Sequence, residues 1–492
     1  VIKGIQRDLL VIISLGFVYC FFLLTTQTVA NLNIYDAGWY ANRANLLSRG
    51  IITWGEPFVY TIGYPLSVGI VDRFVDDLVS ASLIVNTISL IAIFVGIYLL
   101  GYWHYNRFIA LLAVSFLALN PYLHLVAREI QFSMLFMGTV TWSLVLFSLL
   151  LRSAKFWIAF IFSLMLALAM YTRFEGSMFA ILIPIIGYVT YQRTGHLAKS
   201  FQLMVATSLL FGVGVLFYFY VLAQAAGVGG SGTQFSFFEP FLSVPSDWQQ
   251  LSRRTRDMLH AILHPWWIGL WLLVIGLHLW LDDKFQQTNR FWLGIIGFYT
   301  FIIWILATWP FPSRAMFTMQ FFALLFGWAI WRLWTINRLT RLGAVVIAGI
   351  WSVLGLASLF NYAATPPFTF QEDTVAQDAV SMDEWLTSEA LQNTQIYTLC
   401  GAPLPYSDSN FYYIWRLNVL DDLGDADLVT SPRNLLPEMF EQNALFMLCG
   451  ERIFWSDWLD FLNNPQNYDY SISEIHRIND KYIFYEVVPR ED

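Results

Sequence analysis

Charge is what this 492-residue sequence has least of: Lys, Arg, Asp and Glu make up 13% of it, against roughly 25% in soluble domains. A deficit of that size excludes a chain surrounded entirely by water. Cysteine is almost as scarce. Of the three, Cys20 falls inside the first apolar run, and only Cys400 and Cys449 fall in the C-terminal part. That part can hold one disulfide at most, an expected bond if it faces an oxidising compartment. No Walker or dinucleotide-type glycine pattern occurs, which argues against a nucleotide site. There is no internal repeat, and the histidines show no metal-ligand spacing with Cys or Asp. The first apolar run also lacks a small-residue cleavage site, so it reads as a span rather than a cleavable signal peptide.

Apolar residues are what remains, at 57% of the chain. Runs of about 17–25 apolar residues are long enough to cross a bilayer as helices. Eleven candidates occur: 9–30, 79–100, 107–122, 132–151, 155–172, 176–192, 201–223, 263–281, 291–309, 315–334 and 341–362. The expected fold is therefore mainly α, a polytopic transmembrane helix bundle. Basic residues in the short loops favour the N-terminus on the cytoplasmic side of the cytoplasmic membrane. That orientation leaves several arginines on the outer face, among them Arg43, Arg128, Arg173, Arg253, Arg254, Arg256 and Arg314, and these need another explanation.

The charge that is present is unevenly spread. Residues 1–362 carry a balance of +8 and residues 363–492 a balance of −16. The acidic part is rich in aromatic residues and Leu and is expected to fold. It reads as a small α/β domain on the outer side, with strands at Gln395–Leu399, Leu428–Thr430, Leu445–Leu448 and Tyr482–Val488. Helices are expected at Asp383–Leu391 and Trp455–Leu462. Thr365-Pro366-Pro367 marks the linker.

Two outer loops, 31–78 and 224–263, are too long to be simple connections, and long loops on a rigid bundle are where chemistry usually sits. The first carries Asp36, which Asn33 would place in the first turn of a capped helix, where the positive helix end favours an ionised carboxylate. Such a group can bind a metal or take a proton from a hydroxyl; it also fits an ordinary capped surface helix. The loop continues to Gly63-Tyr64-Pro65-Leu66, read as a turn. Arg128-Glu129 stands at the mouth of a span, where charges are costly and usually pair or bind something. Thr172-Arg173-Phe174-Glu175-Gly176 separates the fifth and sixth runs, and Pro312-Ser313-Arg314 precedes the tenth. Guanidinium groups bind phosphate in a bidentate way, so these arginines could hold a lipid phosphate; they could equally snorkel to headgroups.

Taken in order, these motifs resemble the GT-C superfamily of integral membrane glycosyltransferases, above all the protein O-mannosyltransferase and lipid A aminoarabinose transferase group. The resemblance covers about residues 1–335. It implies transfer of a sugar from a polyprenyl-phosphate donor to a protein or lipid acceptor on the outer face, without nucleic acid. Asp36 matches the catalytic acidic residue and Glu129 the second acidic position. Arg128, Arg173 and Arg314 would meet the lipid phosphate, with Tyr40, Tyr64 and Glu175 in support. Some members use a divalent metal (Mg or Mn) and others do not; Asp36 and Glu129 are the residues that would hold it. Two departures stand out: Tyr64 occupies a position where the family often has a second Pro, and Glu129 one where it often has Asp. The sequence leaves two alternatives open, a non-catalytic subunit of a larger membrane complex and a transporter of a lipid-linked substrate.

Overall fold

Lipid offers no hydrogen bonds to a backbone, so an apolar run that enters it must satisfy its own polar groups as a helix. All eleven runs overlie helices in the computed structural model. It describes residues 2–25, parts of 40–50, and 62–225, 252, 265–306, 316–364, 372–399, 411–413, 431–449 and 456–490, save residues 129, 282, 283, 392, 393 and 480. In chain order the helices of the first part are α1 (Ile2–Thr25), α2 (Gly63–Val75), α3 (Leu78–His104), α4 (Arg107–Ala118), α5 (Pro121–Val126), α6 (Ser133–Ser153) and α7 (Phe156–Thr172). They continue as α8 (Leu182–Thr194), α9 (Leu197–Ala225), α10 (Pro265–Trp280), α11 (Gln286–Leu306), α12 (Met319–Ile336) and α13 (Arg338–Ala364). Short 3-10 segments, Phe174–Ile181 and Met316–Thr318, lead into α8 and α12. Described stretches of α3, α6, α9, α12 and α13 are long and apolar enough to cross a membrane, and α4, α7 and much of α10 are shorter apolar helices. The chain is a multi-pass membrane protein.

Local chemistry sets the helix ends. Asp77 caps α3 by accepting from the Val79 N–H, and Asn106 caps α4 by accepting from the Ile109 N–H. Asp76 closes α2 in the left-handed region at φ 55°, so α2 turns directly into the span α3. Aromatic packing ties the bundle together. Trp351 of α13 stacks on Phe116 of α4 at 4.4 Å and donates its indole N–H to the Phe116 carbonyl at 3.2 Å. At the first helix, buried Asp8 accepts two hydrogen bonds from Arg107 and one from Tyr98, each 2.6 Å.

Gly63-Tyr64-Pro65-Leu66, expected as a turn, instead opens helix α2. A proline in the first helical turn costs nothing, because the N–H it lacks would have had no partner there.

The C-terminal part forms α14 (Glu372–Ser388), β1 (Ile396–Thr398), β2 (Phe411–Tyr413), α15 (Pro432–Glu441), β3 (Leu445–Cys449), α16 (Ser456–Asn463), β4 (Tyr470–Ile478) and β5 (Tyr482–Pro489). The sheet order is β2-β1-β3-β5-β4, with β1 parallel to β2 and β3, and β5 antiparallel to β3 and β4. The strand expected at Leu428–Thr430 lies outside the described residues. Cys449 is disulfide-bonded; Cys400 lies outside the described residues.

Alternation along the strands divides the sheet into two faces. Phe446, Leu448 and Val487 pack with Leu435, Met439, Trp458 and Phe461 of α15 and α16. On the other face, Leu445, Met447 and Phe484 pack with Met382 and Leu386 of α14, in a cluster that also takes in Tyr40, Tyr64, Val68 and Leu78. The sheet thus rests on the segment that the first long loop contributes.

Candidate functional site

Two motif glycines decide where the site forms. Gly63 begins α2 with its open side against the last turn of α7: a Cβ there would lie 2.7 Å from the Tyr171 carbonyl and 2.8 Å from the Thr172 nitrogen. Gly176 folds back onto the same turn, where a Cβ would fall 2.6 Å from the Ala169 oxygen and from the Met170 nitrogen. Backbone atoms cannot yield at such distances, so only glycine lets both segments close on α7. The result sets Gly63, which precedes Tyr64, against Tyr171 and Thr172, the two residues before Arg173. Gly63→Ala is expected to lower stability by about 1–3 kcal/mol, as other forced overpacking does. Thermal unfolding in detergent reads this directly, and an unchanged midpoint would show that α2 need not sit so close.

Arg173 is the centre of what these glycines assemble. Its Nη2 lies 2.7 Å from Glu175 Oε1, with the two side chains only 10% and 13% exposed. Burial alone would pull the guanidinium's pKa down; the adjacent Glu175 carboxylate outweighs it and holds Arg173 raised, in the charged form. The guanidinium also sits over two rings, Phe132 at 4.5 Å and Phe317 at 5.1 Å, a desolvated cation–π arrangement. Tyr40 meets Tyr64 and Phe132 edge-on, each at 5.6 Å, and Tyr299 meets Phe317 at 6.4 Å.

The structure therefore brings together four of the expected site residues: Tyr40, Tyr64, Arg173 and Glu175. Asp36, Glu129 and Arg314 lie outside the described residues. Their described neighbours do reach the site or its surroundings. Tyr40 follows Asp36 by four residues, Phe317 follows Arg314 by three, and Ile130, next to Glu129, is buried in the cluster that holds Tyr40 and Tyr64. The metal expectation attaches to Asp36 and Glu129; among the described residues no three His, Cys, Asp or Glu side chains come together as a metal site. Phe132, Phe317 and Tyr299 were not legible as site residues. The chain has 42 phenylalanines and 24 tyrosines, and only their nearness to the arginine motifs sets these three apart.

Arg128 is buried at 2% exposed, at the end of the short segment that α5 begins. Asn86 of α3 donates to the Ala127 carbonyl at 3.2 Å, the His124 Nε2–H donates to the Ala118 carbonyl at 2.7 Å, and Tyr19 packs on the imidazole at 5.3 Å. These contacts pin the segment between the spans α4 and α6. Burial pulls the His124 pKa down to about 4; the nearby Arg128 charge adds to the fall and the Ala118 hydrogen bond opposes it. The folded protein thus refuses a proton that the unfolded chain accepts below about 6.5. Stability should fall as pH drops from about 6.5 towards 4. His124→Gln, which cannot take up that proton, should flatten this part of the thermal-midpoint profile; an unaltered profile would place the titrating group elsewhere.

No protein-family model and no curated protein matches the sequence. Solved structures match by fold. One is ArnT from Cupriavidus metallidurans bound to undecaprenyl phosphate, with a TM-score of 0.62 and 11% identity over 98% of each chain. A second is the oligosaccharyltransferase AglB from Archaeoglobus fulgidus in complex with an inhibitory peptide and a dolichol-phosphate. It has a TM-score of 0.51 and 10% identity, over 90% of this chain and 69% of that one. The Archaeoglobus fulgidus oligosaccharyltransferase in complex with Zn and sulfate matches at a TM-score of 0.51 and 11% identity, over 89% and 68%. At such identities the likeness is one of fold: the chain shares the fold of these solved structures, as the motif order led one to expect.

Proposed function

We propose that the chain is a membrane glycosyltransferase. It moves a sugar from a polyprenyl-phosphate donor to a protein or lipid acceptor on the outer face, with inversion at the anomeric carbon. One observation carries this reading. Segments adjoining the motifs at Asp36, Gly63, Glu129, Arg173 and Arg314, far apart in the chain, meet around one buried, paired guanidinium. The shared fold supports it, since solved holders of that fold carry undecaprenyl phosphate or a dolichol-phosphate.

The chemistry follows from the charges. The acceptor O–H gives its proton to the Asp36 carboxylate as its oxygen attacks the anomeric carbon. The bond from that carbon to the phosphate oxygen breaks, and its electron pair leaves with the lipid phosphate. A single displacement with no glycosyl-enzyme inverts the centre. Arg173, with Arg128 and Arg314, offsets the charge on the leaving phosphate, the kind of preorganised stabilisation that dominates many enzyme rates. A divalent ion held by Asp36 and Glu129 would add positive charge at the same place; none of the steps above is assigned to it.

In this reading residues 1–362 form the transmembrane domain, its outer loops being 31–78 and 224–263, and residues 363–492 form an extracytoplasmic domain. The N-terminus is then cytoplasmic. The disulfide at Cys449 supports an oxidising surrounding for the second domain. A larger membrane complex is compatible with that arrangement. The test is direct: the purified chain in lipid nanodiscs is given radiolabelled polyprenyl-phosphate sugars together with solubilised acceptor-containing membranes. Release of polyprenyl phosphate matched by labelled acceptor is the expected result. Intact donors across a panel of sugars would overturn the proposal.

A further inference from the structure

A polar side chain is enclosed among apolar ones in the first turn of α12. Gln320 is 0% exposed, between Met319, Phe321, Phe322, Ala323 and Leu324, which are buried as well. Among the described residues neither its amide nitrogen nor its amide oxygen has a hydrogen-bond partner, and no other buried Asn or Gln there leaves both atoms in that state. An unpaired buried amide lowers stability, whereas an apolar side chain of similar shape would not. Packing alone therefore gives no reason for a glutamine at this position.

Its place ties it to the site. The 3-10 turn Met316–Thr318 runs straight into α12, and residues three apart nearly eclipse in such a turn. Gln320 therefore shares a face with Phe317, whose ring lies 5.1 Å from the Arg173 guanidinium and 5.0 Å from Phe136 of α6. On the next turn of that face, Leu324 Cδ2 lies 3.2 Å from where a Cβ at Gly101 of α3 would stand. Phe321 and Phe322 point elsewhere, onto Trp292 of α11 and Phe116 of α4. The amide thus sits on the interior face of α12, about 5 Å along the helix beyond Phe317. Arg173 gives its Nη2 to Glu175, while its buried Nε–H has no acceptor among the described residues. Two polar groups with unused hydrogen-bonding capacity, one cationic and one neutral, flank a single ring.

The two groups suit different chemistry. A guanidinium matches a phosphate. An amide presents N–H donors beside an acceptor oxygen, which matches two neighbouring hydroxyls: one accepts from the nitrogen and the next donates to the oxygen. We propose, resting on the transferase reading above, that Gln320 reads the sugar of the lipid-linked donor through such a hydroxyl pair while Arg173 holds its phosphate. The donor sugar then carries a neutral vicinal diol close to its anomeric carbon. Phe317 stands between the two groups on the short turn ahead of α12, and the sugar reaches Gln320 where that ring turns aside. A site that hydrogen-bonds a hydroxyl rejects ligands lacking it, because its own buried polar groups are then left unpaired. Gln320 is accordingly a specificity-determining residue.

The test titrates the full chain in nanodiscs, by native mass spectrometry, with undecaprenyl phosphate and with undecaprenyl-phosphate-linked glucose, mannose, galactose and arabinose. The unaltered chain should bind at least one sugar-linked lipid about tenfold more tightly than the bare phosphate. Gln320→Met, close in volume, should lose most of that preference and bind bare undecaprenyl phosphate as before. Its thermal midpoint without added lipid should equal or exceed that of the unaltered chain, since an unpaired amide has gone. A preference kept in full by Gln320→Met would overturn the proposal and leave the transferase reading standing, the amide then holding a trapped water at most. Equal weakening for bare and sugar-linked lipids would overturn it too, by assigning the amide to the phosphate. So would a lower midpoint without lipid, which would show the amide paired inside the protein. An unaltered chain that binds none of these lipids would remove the transferase reading itself, and this assignment with it.

Discussion

Asp36→Asn is expected to give a folded protein that transfers sugar at least about 100-fold more slowly than the unaltered chain. Proton transfer by a placed side chain is worth about 10²–10⁴ in rate, and asparagine keeps the shape of aspartate while losing the base. The position fits the task. Tyr40, four residues on, is buried against Tyr64 and Phe132, and Phe132 in turn lies under Arg173. Tyr40, the fourth residue after Asp36, thus packs on the ring that lies under the paired arginine proposed to receive the lipid phosphate. The loss should fall on kcat, with an unchanged thermal midpoint, because the step removed is chemical. Normal turnover with a lipid-linked sugar would exclude Asp36 as the base.

The second large effect is expected at Arg173. Replacing a single stabiliser of transition-state charge typically costs about 10²–10³ in kcat. Arg173→Lys should not rescue it, because lysine offers a point charge in place of a planar fork. A complication is structural: Arg173 is buried with Glu175 at 2.7 Å. Removing the arginine alone leaves a buried carboxylate without its partner, at a cost of about 3–5 kcal/mol. Arg173→Met should therefore lose both turnover and stability. The double variant Arg173→Met/Glu175→Gln removes both charges and should recover most of the thermal midpoint while staying inactive. Recovery of turnover in the double variant would mean that the pair is architectural and the phosphate is held elsewhere.

How much of this was legible beforehand depended on what each signal measures. Apolar runs report solvent, and solvent decides helix here; all eleven runs overlie helices, and the charge split locates the acidic α/β part. The strands at Leu445 and Tyr482 announced themselves by apolar and β-branched content. β4, from Tyr470 to Ile478, did not, since its charged and polar residues face water on an edge strand. The α2 segment was misread as a turn because Gly63 and Pro65 are turn residues by local preference. Their position at a helix start, with Gly63 pressed on Tyr171, is a fact about α7 that no local pattern contains. In the site, charged motifs drew attention to Arg173 and Glu175, whereas Phe132 and Phe317 gain meaning only from the ring faces they turn to that guanidinium.

The junction of Asp8, Tyr98 and Arg107 bears on how the chain is made. Asp8 accepts hydrogen bonds from groups that emerge 90 and 99 residues after it. During synthesis α1 must wait, with an unmatched carboxylate at its end, until α3 has passed the ribosome and α4 has begun to follow. An insertion machinery that released the first helix early would let it drift from its place. Substituting Asp8 should accordingly show up as slow or incomplete biogenesis, in addition to the lower thermal midpoint expected when Tyr98 and Arg107 lose their shared partner.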